Sequence, residues 1–144
     1  MNRYMVWLTA LVIFAAIIYK PGTEMPGTKR ISKNISISVY KGNSYSSVAY
    51  NNTSARVYIT IEKVNAKGLH TTVWDEKFGS QYLRWYPFAE NALQQNITIH
   101  NLDGKKEYLV VRYILTYNSR GSELHMQGCT IVKDRTPGKV SISI

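Results

Sequence analysis

From residue 30 onward, apolar and polar residues alternate with a period of two, in short runs broken by turn-forming residues. Ile35, Ile37 and Val39 alternate with Ser36 and Ser38, and Val57, Ile59 and Ile61 alternate with Tyr58, Thr60 and Glu62. In an extended chain successive side chains point to opposite faces, so this pattern buries one set and wets the other. Further runs of this kind are Tyr45–Tyr50, His70–Phe78, Gln81–Tyr86, Asn96–Asn101, Glu107–Tyr117, Glu123–Lys133 and Lys139–Ile144. The breaks fall at Lys41-Gly42-Asn43, Asn51-Asn52, Lys67-Gly68, Gly79-Ser80, Asp103-Gly104, Arg120-Gly121 and Pro137-Gly138. Each supplies a residue that accepts positive φ or presets a turn. Only Ala89–Gln95, after Pro87, has helical character, and it is long enough for one or two turns. The pattern predicts an all-β sandwich or barrel.

The stretch from Tyr108 to Leu115 is apolar on nearly both faces, interrupted by Arg112. It is expected to be a central strand covered on both sides.

Ahead of this domain stands an uncharged apolar run, Met5–Tyr19, preceded by Arg3. At about 15 residues it is shorter than the roughly 20 that span a bilayer core, and it matches the positive and apolar regions of a secretory leader. Residues 1–19 therefore read as a signal peptide, or as an uncleaved signal anchor, forming a hydrophobic leader helix. Residues 20–29 hold two Pro-Gly pairs and read as a linker. Residues 30–144 form one domain of ordinary size. The expected location is secreted, or on the extracellular side of a membrane, with membrane contact only through the amino-terminal segment if it is retained.

Charge and cysteine content narrow the partners. The chain carries 18 Lys+Arg against 9 Asp+Glu. The basic residues are densest at Lys29-Arg30-Lys33 and Lys133-Arg135-Lys139, at the two ends of the domain in sequence. Such an excess draws the domain to anionic sugars or phospholipid headgroups, or keeps a solvated face soluble. Nucleic acid is not expected as a partner, because the leader removes the domain from its compartment. Cys129 is the one cysteine, which rules out an intrachain disulfide. Its place in a strand-like run predicts burial; an intermolecular bond through it is the other reading.

The run Ile97-Thr98-Ile99-His100-Asn101-Leu102-Asp103-Gly104-Lys105-Lys106-Glu107-Tyr108-Leu109-Val110-Val111-Arg112 resembles the E-to-F region of fibronectin type III domains. There a strand ends in Leu, and a Tyr six residues later opens the next strand. Asn118-Ser119-Arg120-Gly121-Ser122-Glu123 is similar to the polar F–G loop of that family. The resemblance implies an immunoglobulin-like, fibronectin type III-like antiparallel β-sandwich. It also implies a tyrosine corner at Leu102 and Tyr108, with the Tyr108 ring under the bend and its hydroxyl bonded to backbone upstream. Adhesion, receptor or scaffold roles are what the family implies.

No constellation for catalysis is legible. His70, His100 and His125 lack partners at ligand spacing, except that Glu123 shares a strand face with His125. Asp75 and Glu76 are adjacent and face opposite sides. His125 would stand roughly 13 Å from Cys129 along an extended strand. No enzyme activity, cofactor or metal is expected.

Aromatic residues are abundant, with 11 Tyr, 3 Trp and 3 Phe. If Gln81–Tyr86 is a strand, Tyr82, Arg84 and Tyr86 share one face while Leu83 and Trp85 share the other. A Tyr-Arg-Tyr row suits recognition, because rigid rings give contact area at small entropic cost. With Asn118 and Arg120 of the loop at Asn118–Gly121, these are the expected contact residues. Asn34, Asn51, Asn52 and Asn96 head Asn-x-Ser/Thr sequons, which accept glycans in a eukaryotic secreted chain. The expected function is a non-catalytic recognition or adhesion module binding another protein or a surface glycan. The alternative is a structural subunit of an extracellular assembly that self-associates through strand Val140–Ile144.

Overall fold

The computed structural model describes residues 29–43, 50–132 and 138–144. The expected leader, nearly all of the linker, and Tyr45–Ala49 of one expected strand lie outside the described residues. Seven strands are described: β1 Arg30–Tyr40, β2 Thr53–Val64, β3 His70–Tyr82, β4 Leu93–Asp103, β5 Tyr108–Ser119, β6 Ser122–Val132 and β7 Gly138–Ser143. They form a three-stranded sheet in the order β4-β1-β7 and a four-stranded sheet in the order β3-β2-β5-β6.

The alternating positions read from the sequence supply the two inner faces. Ile35, Ile37 and Val39 of β1 meet Val57, Ile59 and Ile61 of β2, and Leu109, Val111 and Leu115 of β5, in one buried cluster. Val140, Ile142 and Ile144 join it from the carboxy-terminal segment. Residues from both sheets share this core, so the molecule is a β-sandwich. Burying such aliphatic side chains contributes roughly 1.5–3 kcal/mol each relative to exposure.

Two departures from simple alternation shape the ends of the sandwich. Between β1 and β4 the pairs Ile31–Leu102 and Lys33–Ile99 bracket a bulge, with the extra residue on β4, where Asn101 takes φ 60°. The bulge re-aims Leu102 into the core at the β4–β5 bend. Between β5 and β6, Arg120 (φ 51°) and Gly121 (φ 83°) form the two-residue turn closing Ser119 onto Ser122. Two successive positive φ values give a primed turn, whose twist matches the strands it joins.

The pairing of β7 with β1 is parallel, Ile35 facing Gly138 and Tyr40 facing Ser143. This corrects the expectation of a wholly antiparallel sandwich. After β6 the chain crosses to the other sheet and re-enters in the direction of β1, so hairpin geometry does not apply. The end of this segment is fixed: Ile144 N–H donates to Tyr40 O at 2.8 Å, and Gly42 N–H donates to Ile144 O at 3.1 Å.

β5 lies between β2 and β6, as expected for a central strand, but among the described residues no second layer covers its outer face. Val110 and Thr116 are shielded there by neighbours, whereas Arg112 and Ile114 are exposed. Tyr108 opens β5 half-buried. Of the helical stretch Ala89–Gln95, one 3-10 turn forms at Ala89–Asn91 before β4 begins.

The sandwich has two poles. The entry pole gathers the start of β1, the β4–β5 turn, the β2–β3 turn and the end of β6. The far pole gathers the end of β1, the β5–β6 turn and the β3–β4 crossover. Eleven residues of β1 separate the poles, about 35 Å of extended chain.

Candidate recognition surface

The β3–β4 crossover carries the most exposed aromatic group among the described residues. β3 ends at Tyr82, and Leu83–Trp85 turn as a 3-10 helix closed by Tyr86 N–H donating to Leu83 O at 3.1 Å. In a 3-10 turn, residues three apart eclipse one another. Leu83 and Tyr86 therefore point together into the core. The Tyr86 hydroxyl donates to Ala55 O at 3.1 Å, and burial pushes its phenol up, countered in part by a hydrogen bond with the Gln81 side chain.

This corrects the expected Tyr82-Arg84-Tyr86 row. Tyr86 is 2% exposed and Trp85, assigned to the inner face by a strand period, is 63% exposed. The period changes from two to three at Leu83, so Tyr82, Arg84 and Trp85 become the outward set. Sequence reasoning missed Trp85. The available signal was Pro87, which cannot donate to a strand ladder and so marks the end of the regular strand near Tyr86.

The outward set is braced. The rings of Tyr82 and Trp85 meet edge to face, with centroids 5.1 Å apart and planes at 88°. The Arg84 guanidinium lies 5.0 Å from the Tyr82 centroid and 5.3 Å from that of Trp85. Beneath them, buried Lys41 donates from Nζ to Arg84 O at 3.1 Å and sits 4.3 Å from the exposed Phe88 ring. Lys41 N–H donates to Pro87 O at 2.7 Å, tying the crossover to the end of β1. The rings are thus held in place before any ligand arrives, which lowers the entropic cost of binding.

The expected loop contacts fall at the same pole. Ser54 of β2 pairs with Tyr82 on one side and Asn118 on the other, so the two stand two strand spacings apart, about 10 Å. Asn118 and Arg120 are exposed. Between the sheets nearby, an apolar hollow is lined by Tyr50, Leu83, Tyr117, Leu124 and Met126. Leu124 and Met126 face inward on edge strand β6, yet remain exposed because none of the described strands lies over them.

The remaining expected residues are dispersed. Asn51 and Asn52 are exposed at the turn entering β2, at the far pole. Asn34 and Asn96 lie exposed on the outer face of the three-stranded sheet, where Thr98 Oγ1 donates to Asn34 Oδ1 at 2.9 Å. Cys129 is exposed, against the expectation of burial. It faces outward on edge strand β6, opposite Arg112, where no layer of the described residues covers it.

The outer face of the four-stranded sheet holds a polar group that the sequence did not announce. Arg112 Nε donates to Glu62 Oε2 at 2.9 Å, and His70 Nδ1 stands 2.7 Å from the same oxygen. The Arg112 and His70 hydrogen bonds hold the Glu62 carboxyl below its usual range, and Glu62 in turn raises Arg112. His125 Nε2 lies 3.6 Å from Glu123 Oε2 on the same face. Among the described residues, no group of three or more His, Cys, Asp or Glu comes together as a metal cage would require.

Comparison with protein-family models, curated proteins and solved structures finds no match to this chain.

Proposed function

We propose that the chain is a non-catalytic recognition module of the secreted or cell-surface kind, which grips a protein or glycan at its far pole through Trp85, Arg84 and Tyr82. The observation that carries this reading is the exposed Trp85 ring, braced by Tyr82 and Arg84 on a turn anchored by Leu83 and Tyr86. An exposed indole held rigid is costly to leave in water unless something covers it, and Trp, Tyr and Arg dominate binding hot spots. The primed β5–β6 turn with Asn118 and Arg120 extends the contact surface.

The immunoglobulin-like identity belongs to the same proposal. The order β3-β2-β5-β6, with β1 beside β4 in the facing sheet, corresponds to C′-C-F-G against B-E of that architecture. Buried Leu102 and half-buried Tyr108 flank the β4–β5 bend where a tyrosine corner belongs. The place of a first strand is taken by β7, running the other way. One side of β7 is already paired with β1, and the recognition reading is better supported because the braced Trp85 patch is the more specific observation.

The test is a screen of the full chain against arrayed glycans and extracellular proteins, beside Trp85→Ala. The variant should lose the strongest binders while keeping a β-sheet spectrum. Identical binding profiles for the two proteins would remove this reading.

A further inference from the structure

We infer that the entry pole docks on an anionic phospholipid surface. Such docking shares with the proposed function only its placement outside the cytoplasm, and it uses different residues at the opposite end of the sandwich.

Four positions that are scattered in sequence meet at this pole. Lys29 precedes β1, Lys67 is in the β2–β3 turn, and Lys105 and Lys106 are in the β4–β5 turn, all exposed. Ile31 lies against Gly104, which joins the start of β1 to the β4–β5 turn, and Lys29, Lys33 and Lys105 line the cleft between them. Lys63 Nζ lies 3.5 Å from Glu107 Oε1, which joins the β2–β3 end to the same turn. Buried Lys33 adds its charge from below, donating to Val132 O at 3.1 Å. Val132, which accepts this bond, lies against Gly138 at the start of β7.

Among the described residues, the acids of the β4–β5 turn are turned inward. Asp103 is buried, and its Oδ1 accepts from Lys105 N–H at 3.1 Å. Glu107 Oε2 accepts from Asp103 N–H at 2.8 Å, and its other oxygen faces Lys63. Both carboxylates brace the turn, and the ammonium groups of Lys105 and Lys106 are left to face outward. One apolar side chain projects among the lysines. Leu69 is 62% exposed on a β2–β3 turn held by Asn65 Oδ1, which accepts from Lys67 N–H at 2.9 Å and from Leu69 N–H at 3.1 Å.

Several features favour a bilayer over a discrete anionic ligand. Lys29, Lys33 and Lys105 line one cleft, but Lys67 and Lys106 stand outside it, and diffuse headgroup charge attracts such a spread array additively, about five-fold in affinity per charge. A protruding Leu fits the headgroup–acyl boundary. In sequence, only residues 20–28 separate the apolar run from Lys29, at most about 32 Å when extended. A retained apolar run would therefore keep this pole within reach of the surface. Docking in this pose points the Trp85 patch away from the membrane.

The test uses the full chain in vesicles, with a fluorophore on the native Cys129 and a quencher carried on a minor headgroup-labelled lipid. Quenching is expected with vesicles rich in phosphatidylglycerol, not with phosphatidylcholine alone, and is lost near about 0.5 M salt, where screening lengths fall to a few Å. Lys105→Gln/Lys106→Gln should weaken docking about 25-fold, and Arg56→Gln/Lys77→Gln, which removes as much charge elsewhere, by less than about two-fold. Equal quenching in both lipids, equal effects of the two double variants, or binding to a soluble acidic polysaccharide without vesicle docking would each overturn the inference. Loss of docking with partner binding intact separates it from the recognition reading.

Discussion

The Tyr113 ring lies across the bare Cα of Gly128, its directly paired residue on the adjoining strand. A β-carbon at Gly128 would stand 2.8 Å from Tyr113 Cε1 and closer still to Cζ and the hydroxyl oxygen. The ring covers backbone that a glycine in an edge strand otherwise leaves bare. Gly128→Ala should destabilise the domain by about 1–3 kcal/mol through overpacking. In a denaturation cycle, Tyr113→Ala should relieve much of that cost, so the double variant falls short of additivity.

Leu83→Ala and Trp85→Ala separate anchoring from recognition. The buried Leu83 side chain predicts a loss of about 2–5 kcal/mol in stability. The neighbouring Trp85 should change stability by no more than about 1 kcal/mol and partner affinity about thirty-fold. Thermal melts and binding titrations on the same samples check both.

Tyr86 makes stability fall at high pH. Its phenol is raised by burial, so the unfolded chain ionises first and gives up its proton at a pH where the folded chain still holds it. Stability contributed by the neutral ring is whole below about pH 10 and declines above it. Tyr86→Phe removes the bond to Ala55 O, at a cost of about 0.5–1.5 kcal/mol near neutrality. Its melting temperature should then fall less steeply than wild type above pH 10.

Glu62 acts at the other end of the scale. Its carboxyl is lowered by Arg112 and His70, so the stability it lends is present above its unfolded pKa and drains as pH falls through the lower folded value. Glu62→Gln should flatten the acid limb of a melting-temperature profile below about pH 4.5. Added salt should shrink the difference, since the partners are open to solvent.

Cys129 should react with a thiol reagent in the folded protein at nearly the rate of the unfolded chain. Cys129→Ser should leave stability within about 0.5 kcal/mol. Slow, unfolding-limited labelling would contradict the exposed placement.

The inner faces of β1 and β2 were legible because Ile35, Ile37, Val39 and Val57, Ile59, Ile61 obey one period without interruption. Legibility failed where the period changed. Leu83 to Tyr86 switches to 3-10 spacing, and this moved Tyr86 inside and Trp85 outside. The bulge at Asn101 turned Leu102 inward, and no alternation rule signals a bulge. Cys129 shares its strand face with Glu123, His125 and Gln127, so its exposure follows from that polar face, which outweighs the burial usual for a free cysteine. The Glu62–Arg112–His70 group joins three strands, and its meeting depends on registers fixed by the whole sheet.

The partners Ile35 and Gly138 are about a hundred residues apart, so the smaller sheet is missing a flank until nearly the whole domain has been made. Long loop closure before reward implies slow folding. A chain that cannot lock early stays open along this edge, and it closes only when β7, the last of the described strands, seats against β1.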